Sequence, residues 1–178
     1  MMIKRLLVFC GLLSCFAFTV TTTQDRLQEK FDKAIKSTYE VKDYELESIT
    51  ASGNIEEKIP AKTAAKNLSR ISVQGELIGY TYLGTAPSKK KKFEYVVLFD
   101  KDLKIKKSKV LIYREDYGLQ IGSQRWLKQF IGMTPDSKIE YGENIAAISG
   151  ATISASSMAR AVNNVLKTVH ILKQENQL

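Results

Sequence analysis

Between Arg70 and Tyr113 three runs rich in β-branched and aromatic residues follow one another with only short connectors. They read "RISVQGELIGYTYLG" (Arg70–Gly84), "KFEYVVLFD" (Lys92–Asp100) and "IKKSKVLIY" (Ile105–Tyr113). Parallel strands need a crossover of about a dozen residues or more, and no connector here is that long. The region therefore predicts an antiparallel meander. Gly75 and Gly79 mark a hairpin within the first run, and "DKDLK" (Asp100–Lys104) is turn chemistry between the second and third.

Helical patterns flank this block. In "QDRLQEKFDKAIKSTY" (Gln24–Tyr39) the residues Leu27, Phe31, Ala34 and Ile35 recur at helical spacing, which predicts an amphipathic helix joining the N-terminal end to the body. "TASGNIEEKIP" (Thr50–Pro60) reads as loop. After Tyr113, "REDYGLQIGSQRWLKQFIGM" begins as a loop through Gly118 and Gly122. It continues as a short helix with Trp126, Leu127, Phe130 and Ile131 on one face. A final helix is expected from about Ser154 to Lys173, with Met158, Val162, Val165, Leu166, Val169 and Leu172 as its buried stripe. Strands followed by helices, without βαβ alternation, define an α+β class: a meander sheet packed with helices and closed by a long C-terminal helix.

The N-terminus bears on location. Lys4 and Arg5 precede "LLVFCGLLSCFAFTV" (Leu6–Val20), which carries no charge. A basic start followed by an apolar run of this length is the pattern of a secretory signal. The run is shorter than the about 20 residues of a full span. Cleavage, retention as a short anchor, and lipidation at Cys15 all stay open, and each exports the chain to the outer side of the cytoplasmic membrane. The net charge of +8 suits anionic partners, but export argues against nucleic acid. The lysine run Lys89–Lys92 reads as a solvated loop, with contact to anionic lipid head groups as its functional alternative.

Export also isolates the chemistry. Cys10 and Cys15 both lie in the N-terminal segment, and His170 is the single histidine. Beyond the N-terminal segment there is no disulfide framework, thiol nucleophile or cysteine metal site, and one histidine is a poor basis for a triad. His170 is expected to be an ordinary residue of the last helix.

What remains is "AISGATISASSMARAV" (Ala147–Val162). Ile145–Ile148 resembles a strand end, Gly150 permits a tight turn, and a helix starts just beyond. The first amides of a helix are unpaired and its dipole is positive there, so the place suits a phosphate. Thr152 would hold its hydroxyl at that point, and Ser154, Ser156 and Ser157 offer further hydroxyls. The same residues also fit a plain N-cap with close packing, and spacing alone leaves both readings open.

"ISGATIS" resembles the flavinylation motif of the FMN-binding domain shared by the C subunit of the sodium-pumping NADH:quinone oxidoreductase and the G subunit of the Rnf complex. In that family the threonine carries FMN through a phosphoester bond. The resemblance places it at Thr152, with Ser149, Gly150 and Ala151 completing the motif and Ser154 as an alternative attachment site. Upstream, "EDYGL" (Glu115–Leu119) stands where the family has a segment like Glu-Thr-Pro-Gly-Leu. By resemblance Glu115, Tyr117, Gly118 and Leu119 then lie near the flavin. The chain departs from the family at Ala146, where an aspartate is usual, and at Asp116-Tyr117 in place of Thr-Pro.

The likeness covers roughly Leu68–Leu172. It divides the chain into a signal or anchor (1–23), a helix and linker (24–66) and an FMN-binding domain (67–178). It implies a membrane-associated electron-transfer flavoprotein rather than a stand-alone enzyme, with no metal, matured by a flavin transferase and served by membrane redox partners. The alternative is an exported binding module of the same fold that holds FMN or another ligand noncovalently. The cofactor would carry the redox chemistry, which accounts for the bare catalytic inventory.

Overall fold

The computed structural model describes residues 22–60 and 63–178. The expectations of a signal, an anchor or a lipidated Cys15 lie outside those residues. Among the described residues no helix is long and apolar enough to cross a membrane.

Among the described residues five strands form one antiparallel sheet in chain order: β1 (Glu45–Ser48), β2 (Leu68–Val73), β3 (Glu76–Pro87), β4 (Lys92–Phe99) and β5 (Ile105–Ile112). The meander is as the short connectors require. At the β2–β3 hairpin Gln74 and Gly75 both have positive φ, 52° and 80°, the backbone sense that matches the twist of the flanking strands. The segment expected as a linker does more than link. β1 pairs with β2, and Ile49, Ile55, Ile59 and Ala65 are buried in the main core. Thr50–Pro60 is loop apart from one helical turn, α2 (Gly53–Glu56).

Side chains of β4 alternate, but both faces are covered. Phe93, Tyr95, Val97 and Phe99 belong to one core, and Val96 and Leu98 to the other. The first core is closed by α4 (Thr152–Gln174), whose expected stripe from Met158 to Leu172 is buried throughout. The second is closed by α1 (Thr23–Tyr39), which lays Phe31, Ala34 and Ile35 on Ile71, Val96, Leu98 and Leu111. Fully burying side chains such as Phe31 and Ile35 contributes about 1.5–3 kcal/mol each. So α1 is half of a sandwich around the sheet as well as a connection to the N-terminus.

Both ends of α1 are pinned. Thr22 and Asp25 exchange hydrogen bonds in a capping box. Tyr39 donates its hydroxyl to the Phe99 carbonyl at 2.5 Å. A Cβ on Gly79 would stand 2.2 Å from that carbonyl oxygen and 2.8 Å from the Tyr39 ring. Gly79 is therefore a contact residue in mid-strand and plays no part in the hairpin turn.

The stretch after β5 is more broken than expected. A 3₁₀ turn (Leu119–Gly122) leads into α3 (Gln124–Leu127) and another 3₁₀ turn (Lys128–Phe130). Trp126, Leu127 and Phe130 are buried as expected, but Ile131 is 48% exposed. The helix ends before Ile131, whose backbone is extended, so the spacing no longer carries it inward.

Candidate functional site

The approach to α4 has no regular secondary structure and is held by side chains. Trp126 donates its ring Nε1–H to the Ala146 carbonyl at 2.7 Å, and the Ala146 amide donates to Gln129 Oε1 at 2.8 Å. The Tyr141 hydroxyl accepts from the Ile148 amide at 3.3 Å. No strand forms over Ile145–Ile148; Ile145 makes a single bridge with Tyr141. The pairing expected of a strand end is replaced by these side-chain contacts, which explains the apolar reading of a segment that is not in the sheet.

The chain then turns sharply. The Ala151 amide donates to the Ile148 carbonyl at 3.2 Å, and Gly150 has φ +76°. A turn with positive φ at its third residue favours glycine. α4 starts directly afterwards at Thr152, two residues earlier than the periodicity suggested. Its N-cap is Ala151, which has no side chain to accept from the first amides, and the first turn contains no acid. α1 has both a Thr22 cap and Asp25 in its first turn. The plain N-cap reading of Ser149 and Thr152 is thus not what the fold uses. The positive end of a helix of 23 residues is left open to solvent. Thr152 is exposed, and its hydroxyl makes only a long contact of 3.4 Å to the Ile148 carbonyl, at the weak end for a hydrogen bond.

The second motif folds against the first. Gly118 has φ +68°, and a Cβ there would lie 3.0 Å from the Ala151 Cβ and 3.2 Å from the Tyr113 hydroxyl. That hydroxyl shares a hydrogen bond of 2.9 Å with Ser154. Beside them opens a shallow cleft of about 260 Å³, lined by Lys89, Tyr117 and Gly150–Ser154. The Lys89 ammonium stands 5.8 Å from the centre of the Tyr117 ring.

Glu115 neither lines this cleft nor pairs with Arg114, which binds Glu94 through two contacts. Its carboxylate accepts from the Ser88 hydroxyl at 2.5 Å and from the Lys90 and Lys91 amides at 2.7 and 2.9 Å. Those donors, the Ser88 hydroxyl first, hold its pKa down at about 2.

Of the nine residues expected at the site, Tyr117, Gly150, Ala151, Thr152 and Ser154 line the cleft, and Gly118 backs it. Ser154 is 3% exposed and bonded to Tyr113, so Thr152 is the better-placed hydroxyl for modification. Ser149 and Leu119 sit on the exposed surface and do not line the cleft; Leu119 is 64% exposed. Ser156 bonds to its own helix, and Ser157 faces a different cavity. His170 pairs with Asp136 at 3.0 Å, away from the cleft.

Three contributors were not expected from the sequence: Lys89, Ile153 and Tyr113. Lys89 was hidden in a run of four lysines with nothing to single it out. Ile153 sits inside the motif itself, and Tyr113 is the last residue of the third β-rich run, so position alone could have flagged both.

The arrangement suits a flavin mononucleotide. Uncapped amides and Lys89 favour its phosphate, Thr152 offers an unencumbered oxygen, and the half-exposed Tyr117 and Ile153 offer apolar surface for a ring. Comparison with known families agrees: residues 89–167 match the family model of the FMN-binding domain. This span is therefore similar to an FMN-binding domain, which supports flavin binding with FMN as the cofactor. A comparison with curated proteins returned no match.

Proposed function

We propose that this protein is an exported, membrane-associated flavoprotein that carries FMN on Thr152 through a phosphoester and relays electrons between redox partners. The observation that supports this most is the exposed Thr152 hydroxyl at an uncapped, glycine-turned helix start beside a lysine. FMN, when bound, supplies one- and two-electron redox chemistry. The chain's own contribution is binding and orientation. Forming the ester would join Thr152 Oγ1 to the FMN phosphorus with loss of the hydroxyl proton, while the phosphoanhydride bond of an activated flavin nucleotide breaks and its other nucleotide half leaves. The α4 amides and Lys89 balance the phosphate charge. Tyr117 and Ile153 offer the apolar surface. The cleft is shallow, so part of the ring system would stay reachable by a partner, which suits electron exchange. A flavin transferase is needed to form the ester, and the apolar segment Leu6–Val20 supports export.

The test is peptide mass spectrometry of wild type and Thr152→Val produced with a flavin transferase. Wild type should carry an FMN adduct on the Thr152 peptide, and Thr152→Val should carry none while keeping its melting temperature. An unmodified wild-type peptide would overturn covalent attachment. Yellow colour released on denaturation would then favour the noncovalent alternative.

A further inference from the structure

The turn between β3 and β4 presents four lysines but treats them differently. Ser88 donates its amide to the Lys91 carbonyl at 2.7 Å, closing the turn. The Glu115 carboxylate then takes the Lys90 and Lys91 amides and the Ser88 hydroxyl. The clasp joins two segments 24 to 27 residues apart in sequence and is itself only 6% exposed at Glu115. Of the four lysines on this turn, Lys89 lines the cleft of Thr152. Lys89 makes no ion pair among the described residues; its neighbour is the Tyr117 ring. The first turn of α4 has no acid to neutralise it. A lysine without a carboxylate partner, held by a buried clasp beside an open helix N-terminus, is a site prepared for one anionic group.

We infer that Lys89 is the counter-charge of the flavin phosphate and that Glu115 is the residue that positions it. This rests on the reading that the phosphate lies at Thr152. A phosphate joined to both flavin ribityl and threonine is a diester with a single negative charge. One ammonium together with the positive helix end, equivalent to roughly half a charge, matches that load. Glu115 acts at a distance: its charge is spent on three donors of the turn and so does not compete for Lys89.

The test uses the full chain produced without a flavin transferase and titrated with inorganic phosphate, followed through the amide resonances of Gly150–Ser154. Wild type should respond. Lys89→Gln, at an exposed position that leaves the fold intact, should bind about tenfold more weakly, and Lys89→Arg should stay close to wild type. Glu115→Gln should weaken phosphate binding too, and adding Lys89→Gln to it should cost little more than Lys89→Gln alone. If Lys89→Gln binds phosphate as wild type does, the inference fails. If Glu115→Gln lowers the melting temperature without changing phosphate affinity, the positioning role fails. Peptide mass separates this from the function itself. An FMN-bearing wild type with a phosphate-indifferent Lys89→Gln sinks only Lys89. A wild type that never carries FMN sinks the covalent reading, while the phosphate titration still decides Lys89.

Discussion

Gly118→Ala is the sharpest perturbation of the packing between the two motifs. With φ at +68°, alanine there adopts the left-handed region, at roughly 1–2 kcal/mol. Its Cβ would also stand 3.0 Å from the Ala151 Cβ and 3.2 Å from the Tyr113 hydroxyl, short of the about 3.5–4.0 Å at which carbons rest. Ala151 is backbone-anchored through its amide to Ile148, so it cannot swing aside as a long side chain would. Relieving the contact adds about 1 kcal/mol. The total of about 2–3 kcal/mol corresponds to a drop of about 5–10 °C in melting temperature for a chain of this size. The two parts separate by double mutation. Ala151→Gly removes the opposing Cβ at an N-cap position that accepts glycine, so it should return about 1 kcal/mol to Gly118→Ala and leave the φ cost in place. Denaturant unfolding of the four proteins measures this. A Gly118→Ala within about 0.5 kcal/mol of wild type, or one that Ala151→Gly does not rescue, refutes the close packing of the motifs.

Tyr113→Phe strands the buried Ser154 hydroxyl and should cost about 1–2 kcal/mol, with Ser154→Ala adding little on top; unfolding of the double-mutant cycle checks the coupling. Trp126→Phe leaves the Ala146 carbonyl to water in place of its donor and should cost about 0.5–1.5 kcal/mol, with faster hydrogen exchange at Ile148 and Ala151. Thr81 buries a hydroxyl that has no hydrogen-bond partner among the described residues, so Thr81→Val should be neutral or stabilising by up to about 1 kcal/mol, which thermal unfolding will show. Glu115 has a pKa depressed from 4.5 to about 2 in the folded chain, so its contribution is complete above about 4.5 and is lost as pH falls from there towards 2. Asp25, Glu76 and Glu140 are also lowered; the difference between wild-type and Glu115→Gln acid unfolding curves isolates the Glu115 share, and identical curves would deny it.

Local pattern alone was enough for the elements whose stabilising neighbours are close in sequence. The meander followed from connectors too short for any other pairing. The stripe of α4 and the apolar face of α1 followed from a period of 3.6 that burial then obeyed. The SGAT stretch marked the candidate site because glycine at position 150 and a nearby helix start are both local properties. Packing across the chain was not legible in the same way. Ile131 matched the helical spacing, yet the helix ended first. The segment from Tyr39 to Ala65 gave no periodic signal because it supplies single buried isoleucines between turns rather than a repeated face. Glu115 illustrates the limit: the resemblance placed it near the flavin, but the fold turned its carboxylate to three donors of a remote turn, Ser88, Lys90 and Lys91.

By itself the sequence determined that the chain is an α+β meander and that a glycine turn at Gly150 precedes a long C-terminal helix, which it started two residues late. Tertiary structure decided which residues meet there. It left Ala151 as a cap without an acceptor, set Gly118 against it, buried Ser154 on Tyr113, and turned one lysine of four into the cleft. The reason is physical: backbone preference and periodicity act over a few residues, whereas a carboxylate chooses its donors, and a lysine its direction, only after strands remote in sequence have come together.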